Sequence, residues 1–530
     1  MSAPRTIGAQ LDAAAATFGG EEFLVEGERR VSFSEAAELA HGAAKAFLAS
    51  GVRRGDRVAV WAPNSIDWVI ACLGFQYVGA ALVPLNTRFK AAEAADVIRR
   101  SGARMLFTAT DFLDVDYVSV LRDSGEELPG LERIVVLDGP EREGALAWGD
   151  FLALADGVSD ERLAVAAATV EPGDVSDLVY TSGTTGRPKG VMLTHGQTLR
   201  TVGVWIDTLG FRRGDRYLVL NPFFHVFGYK YGWVTALKVG CVAYPLSVFD
   251  PAALLDLIDR EKITVVPGQP TIFQGIMDHP ARAERDLSSA RLGIVGSTSI
   301  PAQVVRDMRD ILGFTEVVTG YGLTETNGIA TLFSNDDDIE LVAQAVGRPI
   351  EGVDIEIVDP DGNSLPSGEQ GEVVIRGYNV MKGYFEDPEQ TRNALGDDGW
   401  LHSGDLGYLG DDGLLRITGR LKDMVIVGGF NVYPAEVENL LLTHPAVREA
   451  AVVGIADERL GEVPSAFVTL RAGEDVETEE LIAWCRERLS NFKVPRRVEV
   501  AESLPYNAVG KLDKPELRKR AERDPAVGTG

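Results

Sequence analysis

The chain has 530 residues, of which 45% are hydrophobic and 25% charged, and a formal net charge of -27. That length exceeds what one hydrophobic core organises and predicts about two to four domains, while the composition is that of a globular protein with ample core. So acidic a surface repels nucleic acid and anionic membranes, which excludes both as expected partners.

Taken from the N-terminus, "MSAPRTIGAQLDAAAATFGG" has no leucine-rich run behind a basic start, so no secretory signal is expected. "RVAVWAP" reads as a strand, the stretch after Asn64 as a buried helix and "AALVPLN" as the next strand, a strand-helix-strand unit. The uncharged run from Trp68 to Leu85 is marginal in length for a membrane span. Gly74, Gln76, Gly79 and Pro84 interrupt it, so it is expected to be a buried helix leading into a buried strand. Cys72, Cys241 and Cys485 lie far apart with no CxxC pair, which predicts neither a disulfide framework nor a zinc site and fits a cytoplasmic protein.

"YTSGTTGRPKG" (Tyr180 to Gly190) follows an apolar strand. Its glycines let backbone amides approach an anion, its hydroxyls donate without bulk, and Lys189 adds a positive charge: a loop made to hold phosphate. It is not a Walker A loop, because Lys189 follows Pro188 and precedes Gly190. The proline fixes φ and removes a donor where a Walker loop begins its helix, so Lys189 is expected on an extended or turn segment.

Asp250-Pro251 marks the N-cap and first position of a helix with Leu254, Leu255, Leu257 and Ile258 apolar, and "ITVVPG" returns as a strand. After "RLGIVGS", Pro301 is expected to start a helix that buries Val304, Val305, Met308, Ile311 and Leu312 on one face. The fold class is therefore α/β with parallel sheets. Between about 343 and 418 the texture changes to short strands with turn pairs at Asp361-Gly362, Ser367-Gly368 and Asp412-Gly413, a small antiparallel sheet or barrel. After "RITGRLKD", helix and strand signals start afresh and predict a compact α+β domain of roughly a hundred residues. The expected division is 1–421 and 422–530. No internal repeat is evident.

Further segments carry chemistry: "TGYGLTET" with Tyr321 and Glu325, "WLHSGDLGYL" with Asp405, "GRLKDMVIVGGFNVYPAEVE", and "LPYNAVGKLDKPELRK" with Lys511. In this order they resemble the adenylate-forming superfamily of acyl-CoA synthetases, firefly luciferases and peptide-synthetase adenylation domains, over about Phe33 to Arg518. "NPFFHVFGYKYG", "PGQPTIFQ" and "LKDMVIVGGFNVYPAEVE" look like the actinobacterial acyl-CoA synthetases that activate the propanoate side chain of partly degraded steroids.

The resemblance implies two steps. Carboxylate and ATP give acyl-AMP and pyrophosphate, and the CoA thiol then displaces AMP. It implies ATP, Mg²⁺ and CoA as cofactors and co-substrates, and a two-part large domain with a mobile C-terminal one. By similarity, Thr181, Ser182, Gly183, Thr184, Thr185, Gly186 and Lys189 would hold the phosphates, with Glu325 and Thr184 at the metal and Thr324 at the α-phosphate. Tyr321, between Gly320 and Gly322, would stack on adenine against Gly296, Ser297 and Thr298; Asp405 and Arg420 would bind the ribose. Lys511 would bridge carboxylate and α-phosphate. Lys422 would be the hinge that brings Gly428, Gly429 and Phe430 to the pantetheine channel. His225 would shape the mouth of an acyl pocket lined by Val226, Phe227, Gly228, Gly320 and Leu323. Lys230 is read either as facing a polar group, such as a ring ketone, on a polycyclic acid, or as a partly exposed lysine.

Two departures stand out: "GSTSIP" replaces the paired small residues usual before the proline, and Tyr506-Asn507 replaces a commoner basic residue and threonine. Rival readings are an enzyme that loads a carrier protein, a luciferase, a protein running one half-reaction, and a non-catalytic acyl-adenylate binder. A homodimer stays open.

Overall fold

The computed structural model describes residues 4–181, 188–296, 300, 302–334, 337–428, 430–457, 459–506 and 512–523. The chain forms two compact units, Met1–Gly296 with Ala302–Asp354 and Ile375–Leu401, and Ser297–Pro301 with Ile355–Val374 and His402–Gly530.

The first unit begins with a helix, Ile7–Phe18, and a hairpin of β1 (Glu22–Glu26) and β2 (Arg29–Ser32). Next come β3 (Arg57–Trp61), β4 (Ala81–Pro84), β5 (Met105–Ala109), β6 (Arg133–Asp138), β7 (Leu146–Ala147), β8 (Val175–Thr181) and β9 (Lys189–Thr194). They form one sheet in the order β7-β6-β5-β3-β4-β8-β9, parallel except for the β8/β9 hairpin. Then β10 (Arg216–Val219), β11 (Val242–Pro245), β12 (Val265–Gly268), β13 (Leu292–Val295) and β14 (Glu316–Val318) join the first hairpin, in the order β14-β13-β12-β10-β11-β1-β2. Here only β1/β2 is antiparallel. Strands buried on both faces read as unbroken apolar runs, as β4 and β12 do.

Between β3 and β4 lies the helix Ile66–Tyr77, N-capped by Ser65 and buried along nearly its whole length. The uncharged stretch is thus a core helix running into a core strand. Among the described residues no helix is long and apolar enough to cross a membrane. Asp250 caps the helix Pro251–Glu261, its carboxylate accepting the Ala253 N–H at 2.7 Å, and Leu254, Leu255, Leu257 and Ile258 are buried. One expectation needs correction: Val304, Val305, Met308 and Leu312 are buried, but Ile311 is 43% exposed. The helix stops at Asp310, and the chain turns through Gly313 in the left-handed region (φ 79°), so Ile311 no longer follows the helical period.

The β-rich stretch holds β15 (Gly320–Tyr321), β16 (Thr331–Leu332) and β17 (Arg348–Pro349) in one small antiparallel sheet. A four-stranded sheet, β18 (Val353–Val358), β19 (Gly371–Gly377), β20 (Leu401–Leu409) and β21 (Leu415–Arg420), follows in that order. The turn pairs behave as their sequences require: Gly362, Gly368 and Gly413 all take positive φ.

In the second unit, β22 (Val425–Val427), β23 (Phe430–Val432), β24 (Val447–Asp457), β25 (Gly461–Leu470) and β26 (Arg497–Val500) form a sheet ordered β23-β22-β25-β24, with β26 also on β25. Side chains alternate across it. Ala450 and Val452 pack with Val437, Leu441, Leu481 and Cys485 from the helices Pro434–Leu441 and Thr478–Arg488. Ala451 and Val453 pack instead with Phe467, Leu517 and Ala521, the last two from the helix Lys514–Arg523. The whole is α/β, with a smaller α+β C-terminal part.

Candidate functional site

The strands on either side of the expected phosphate loop pair in register, Thr181 opposite Lys189. Lys189 opens β9, the extended position that Pro188 predicts, and the Pro188 carbonyl accepts a hydrogen bond from Arg100 at 2.7 Å. The segment Lys382 to Phe385 lies along the outer edge of β9: the Met192 N–H donates to Gly383 O, Lys382 N–H to Met192 O and Phe385 N–H to Gly190 O. This pairing delivers two residues to the lysine. Its ammonium donates to Gln390 Oε1 at 2.6 Å and stands 5.0 Å from the centre of the Tyr384 ring. Ser182, Gly183, Thr184, Thr185 and Gly186 lie outside the described residues.

The strand β14 feeds the turn that carries Tyr321, Thr324 and Glu325. Gly320 and Gly322 are required by close backbone approach, since a Cβ on Gly322 would lie 2.4 Å from the Gly328 carbonyl oxygen and one on Gly320 2.6 Å from that of Thr331. Tyr321 is half-buried, and its N–H donates to Thr331 Oγ1 at 3.3 Å. The turn closes on itself through Leu323 N–H to Thr326 Oγ1, Asn327 N–H to Thr324 O and Gly328 N–H to Leu323 O. Glu325 is gripped at both ends by the segment that lines β9. Its carbonyl accepts the Met381 N–H at 2.8 Å, and its Oε1 accepts the Tyr384 hydroxyl at 2.9 Å. Burial, and then the adjacent Glu325 carboxylate, push the Tyr384 phenol well above its usual range, so it remains a donor. Tyr384 thus brings Lys189 and Glu325 together. Gly296 meets nothing within 4 Å of an added Cβ, so packing does not demand glycine there; Ser297 and Thr298 lie outside the described residues.

Downstream of β10, His225 caps a short helix, Val226–Gly228, its Nδ1 accepting the Phe227 N–H at 3.2 Å. Gly228 packs against the Pro222 carbonyl, where a Cβ would come within 2.1 Å. The Phe227 ring meets Trp205 and Tyr231 edge-on and tilted, and Trp205 and Tyr231 stand 4.7 Å apart, so an aromatic wall backs this segment. Leu323 is half-buried and Val226 buried.

Lys230 is neither exposed nor partly so: its side chain is 1% exposed. Its ammonium is 2.8 Å from Asp177 Oδ2, on β8 beside the edge strand β9, and 2.5 Å from Asn327 Oδ1. Burial pulls this ammonium below the usual lysine range, while Asp177 pulls it back up.

In the second unit, antiparallel register sets Asp405 of β20 opposite Arg420 of β21, and Nε of Arg420 lies 2.9 Å from Asp405 Oδ1. Asp405 is buried. Lys422 sits exposed in a single turn of 3₁₀ helix, Leu421–Asp423. Gly428 takes φ 57°, with its N–H donated to Leu460 O, and the exposed Phe430 ring stacks on Phe492 at 4.9 Å. Gly429 and Lys511 lie outside the described residues.

Sequence reasoning did not single out Tyr384, Gln390, Arg100, Asp177 or Asn327. Asp177 carried a signal, as the one acid within the strand "VSDLVYT" of a central parallel sheet.

Residues 11–385 match the AMP-binding enzyme family and residues 436–511 the AMP-binding enzyme C-terminal domain. The chain is 45% identical over 515 residues (97% of it, 99% of the relative) to the 3-[(3aS,4S,7aS)-7a-methyl-1,5-dioxo-octahydro-1H-inden-4-yl]propanoyl:CoA ligase of Mycobacterium tuberculosis. It is 44% identical to the ligase of the same name from Rhodococcus jostii, over 97% of the chain and 99% of the relative. Among solved structures, an anthranilate CoA ligase in complex with anthranoyl-AMP superposes with a TM-score of 0.87 at 28% identity, covering 97% of each chain. The chain belongs to the AMP-binding enzyme family.

Proposed function

We propose that the acid activated by this chain is a bulky polycyclic carboxylate with a propanoate arm. The chain is an ATP-dependent acyl-CoA ligase that works through acyl-AMP: a carboxylate oxygen bonds to the α-phosphorus as pyrophosphate leaves, and the CoA sulfur then bonds to the acyl carbon as AMP leaves. The observation that carries the substrate reading is the 45% identity, over nearly the full length of both chains, to a ligase named for a fused-ring dioxo propanoate.

The first step gathers negative charge on the phosphates, so fixed cations and donors carry the acceleration. In this reading Lys189 and Thr181 flank the β- and γ-phosphates, Thr324 meets the α-phosphate, Tyr321 stacks on adenine beside Gly296, and Asp405 with Arg420 takes the ribose. Glu325 offers a hard oxygen donor, and among the described residues no three His, Cys, Asp or Glu groups cluster as a metal cage. That donor set fits Mg²⁺ held by one carboxylate and the substrate phosphates rather than a closed protein site. When bound, the ion would neutralise phosphate charge. Lys511 completes adenylation, and rotation about Lys422 exchanges it for the Gly428 to Phe430 loop. His225, Val226, Gly228, Gly320 and Leu323 shape the acyl pocket. A reducing cytoplasm suits the three buried free thiols.

The test is thioester formation, read by mass spectrometry, with steroid-derived propanoates, diterpenoid acids, aryl acids and straight-chain fatty acids. The expected result is the highest kcat/KM for a polycyclic propanoate. A preference for straight-chain acids overturns the substrate reading.

A further inference from the structure

Three segments that meet at the nucleotide side of the first unit are tied together by one buried polar knot. Asp177 lies on β8, four residues before Thr181; Lys230 lies on the turn of helix after Val226–Gly228; Asn327 ends the turn that holds Thr324 and Glu325. All three side chains are essentially without solvent contact. Asn327 is held through its Oδ1, its carbonyl and its backbone N–H, while its buried Nδ2 meets no partner among the described residues. Its Oδ1 accepts from Lys230 Nζ at 2.5 Å and from Thr198 Oγ1 at 3.3 Å, its carbonyl accepts from the Tyr231 hydroxyl at 2.9 Å, and its N–H donates to Thr324 O at 3.1 Å. It also takes a left-handed backbone (φ 60°, ψ 13°), uncommon for a residue other than glycine, and the next residue, Gly328, packs against Tyr231.

A buried ion pair is a poor source of stability, because the cost of drying two charges offsets their attraction. Its better-attested use is to fix register. Here the pair fixes a turn. We infer that Asn327, locked by the Lys230/Asp177 pair, is a positioning residue for adenylation: it holds the backbone of Thr324 and Glu325 in the geometry that the phosphates meet. Lys230 then acts through Asn327 and not on the acid itself. This rests on the assignment of Thr324 and Glu325 under Proposed function.

The sharpest variant is Asn327→Gly, because glycine accepts the left-handed backbone and removes only the side chain. Acid-dependent pyrophosphate exchange is expected to fall about 10- to 100-fold in kcat, the scale of a displacement of about 1 Å at a reacting centre. KM for the acid and thioester formation from supplied acyl-AMP stay within about twofold of the parent. The rise in melting temperature given by ATP with Mg²⁺ shrinks, and the free protein melts lower because Lys230 Nζ and Thr198 Oγ1 lose a buried acceptor. Lys230→Met gives the same adenylation defect with a lower melting temperature, and adding Asp177→Asn restores the melting temperature but not the rate. The inference is overturned if Asn327→Gly adenylates normally while Glu325→Gln does not. It is equally overturned if the Lys230→Met/Asp177→Asn double variant regains full rate, or if Lys230→Met raises KM only for ketone-bearing acids. Normal adenylation by Glu325→Gln overturns instead the assignment of the turn.

Discussion

The hydroxyl of Tyr384 donates to Oε1 of Glu325 at 2.9 Å, while the face of the same ring stands 5.0 Å from the ammonium of Lys189. One side chain therefore orients a carboxylate and braces a cation, the two charges proposed above to meet the metal and the phosphates. Tyr384→Phe keeps the ring and loses the hydroxyl. A hydrogen bond to a charged group contributes about 1.5–3 kcal/mol, so the Mg²⁺ concentration for half-maximal pyrophosphate exchange is expected to rise about tenfold or more. Titrating Mg²⁺ at fixed ATP measures it, and an unchanged midpoint would show that the hydroxyl does not orient Glu325.

Gly322 tests the turn from the opposite side. A methyl group there would lie 2.4 Å from the Gly328 oxygen and 2.5 Å from Ile329 Cα, both backbone atoms that cannot rotate away. Gly322→Ala should force the turn outward at a cost of about 1–3 kcal/mol and slow adenylation about a hundredfold. Thermal melting and pyrophosphate exchange on the same preparation check both parts. Loss of activity without any loss of stability would point to blocked nucleotide entry instead.

Lys422 lies in the single 3₁₀ turn Leu421–Asp423 between β21 and β22, outside any strand or α-helix. Proline at that position fixes one of the dihedrals a hinge needs to change. Lys422→Pro is expected to leave acyl-AMP formation measurable and to slow thioester formation sharply. The two half-reactions assayed separately decide it, and equal loss of both removes the hinge assignment.

Glu261 predicts a pH effect. It is 7% exposed and meets Arg30 Nη2 at 2.9 Å and Arg216 Nη2 at 2.7 Å. Burial raises its pKa, but hydrogen bonds from Arg30, Arg260 and Arg216 outweigh that and hold it at about 2. Because the folded value lies below the unfolded one, the stabilisation is complete above the unfolded pKa of about 4.3 and disappears as pH falls toward the folded value. Allowing for solvent around Arg30 and Arg260, Glu261→Gln should lose about 2 kcal/mol at pH 7. Urea unfolding of parent and variant from pH 7 to pH 2.5 measures it, and the gap between them should narrow below about pH 4.

Much of this architecture is legible in local chemistry. Asp250 and Pro251 announce a helix start because capping needs only neighbours a few residues away, and Pro188, standing where a Walker loop has glycine, marks an extended or turn segment for Lys189, which opens β9. Ile311 misleads for the same reason: its period matches the helix, but the turn at Gly313 ends it first. The motifs that carry the family resemblance mark the site. What supports them is hidden, because its partners are remote in sequence: Lys230 and Asn327 stand 97 residues apart, Tyr384 and Glu325 59, and Lys189 and Gln390 201. No spacing rule reaches across such intervals. A lysine among aromatics is ambiguous until the sheet brings Asp177 beneath it.

The segment that carries Tyr384 also settles a hazard unrelated to chemistry. A terminal strand such as β9 would leave a row of open amides and carbonyls on its far side, an invitation to cross-molecule strand addition. The bonds from Lys382, Met192 and Phe385 use up those groups. The same backbone ribbon that steadies the Glu325 carboxylate therefore also guards the enzyme against sticking to its own copies.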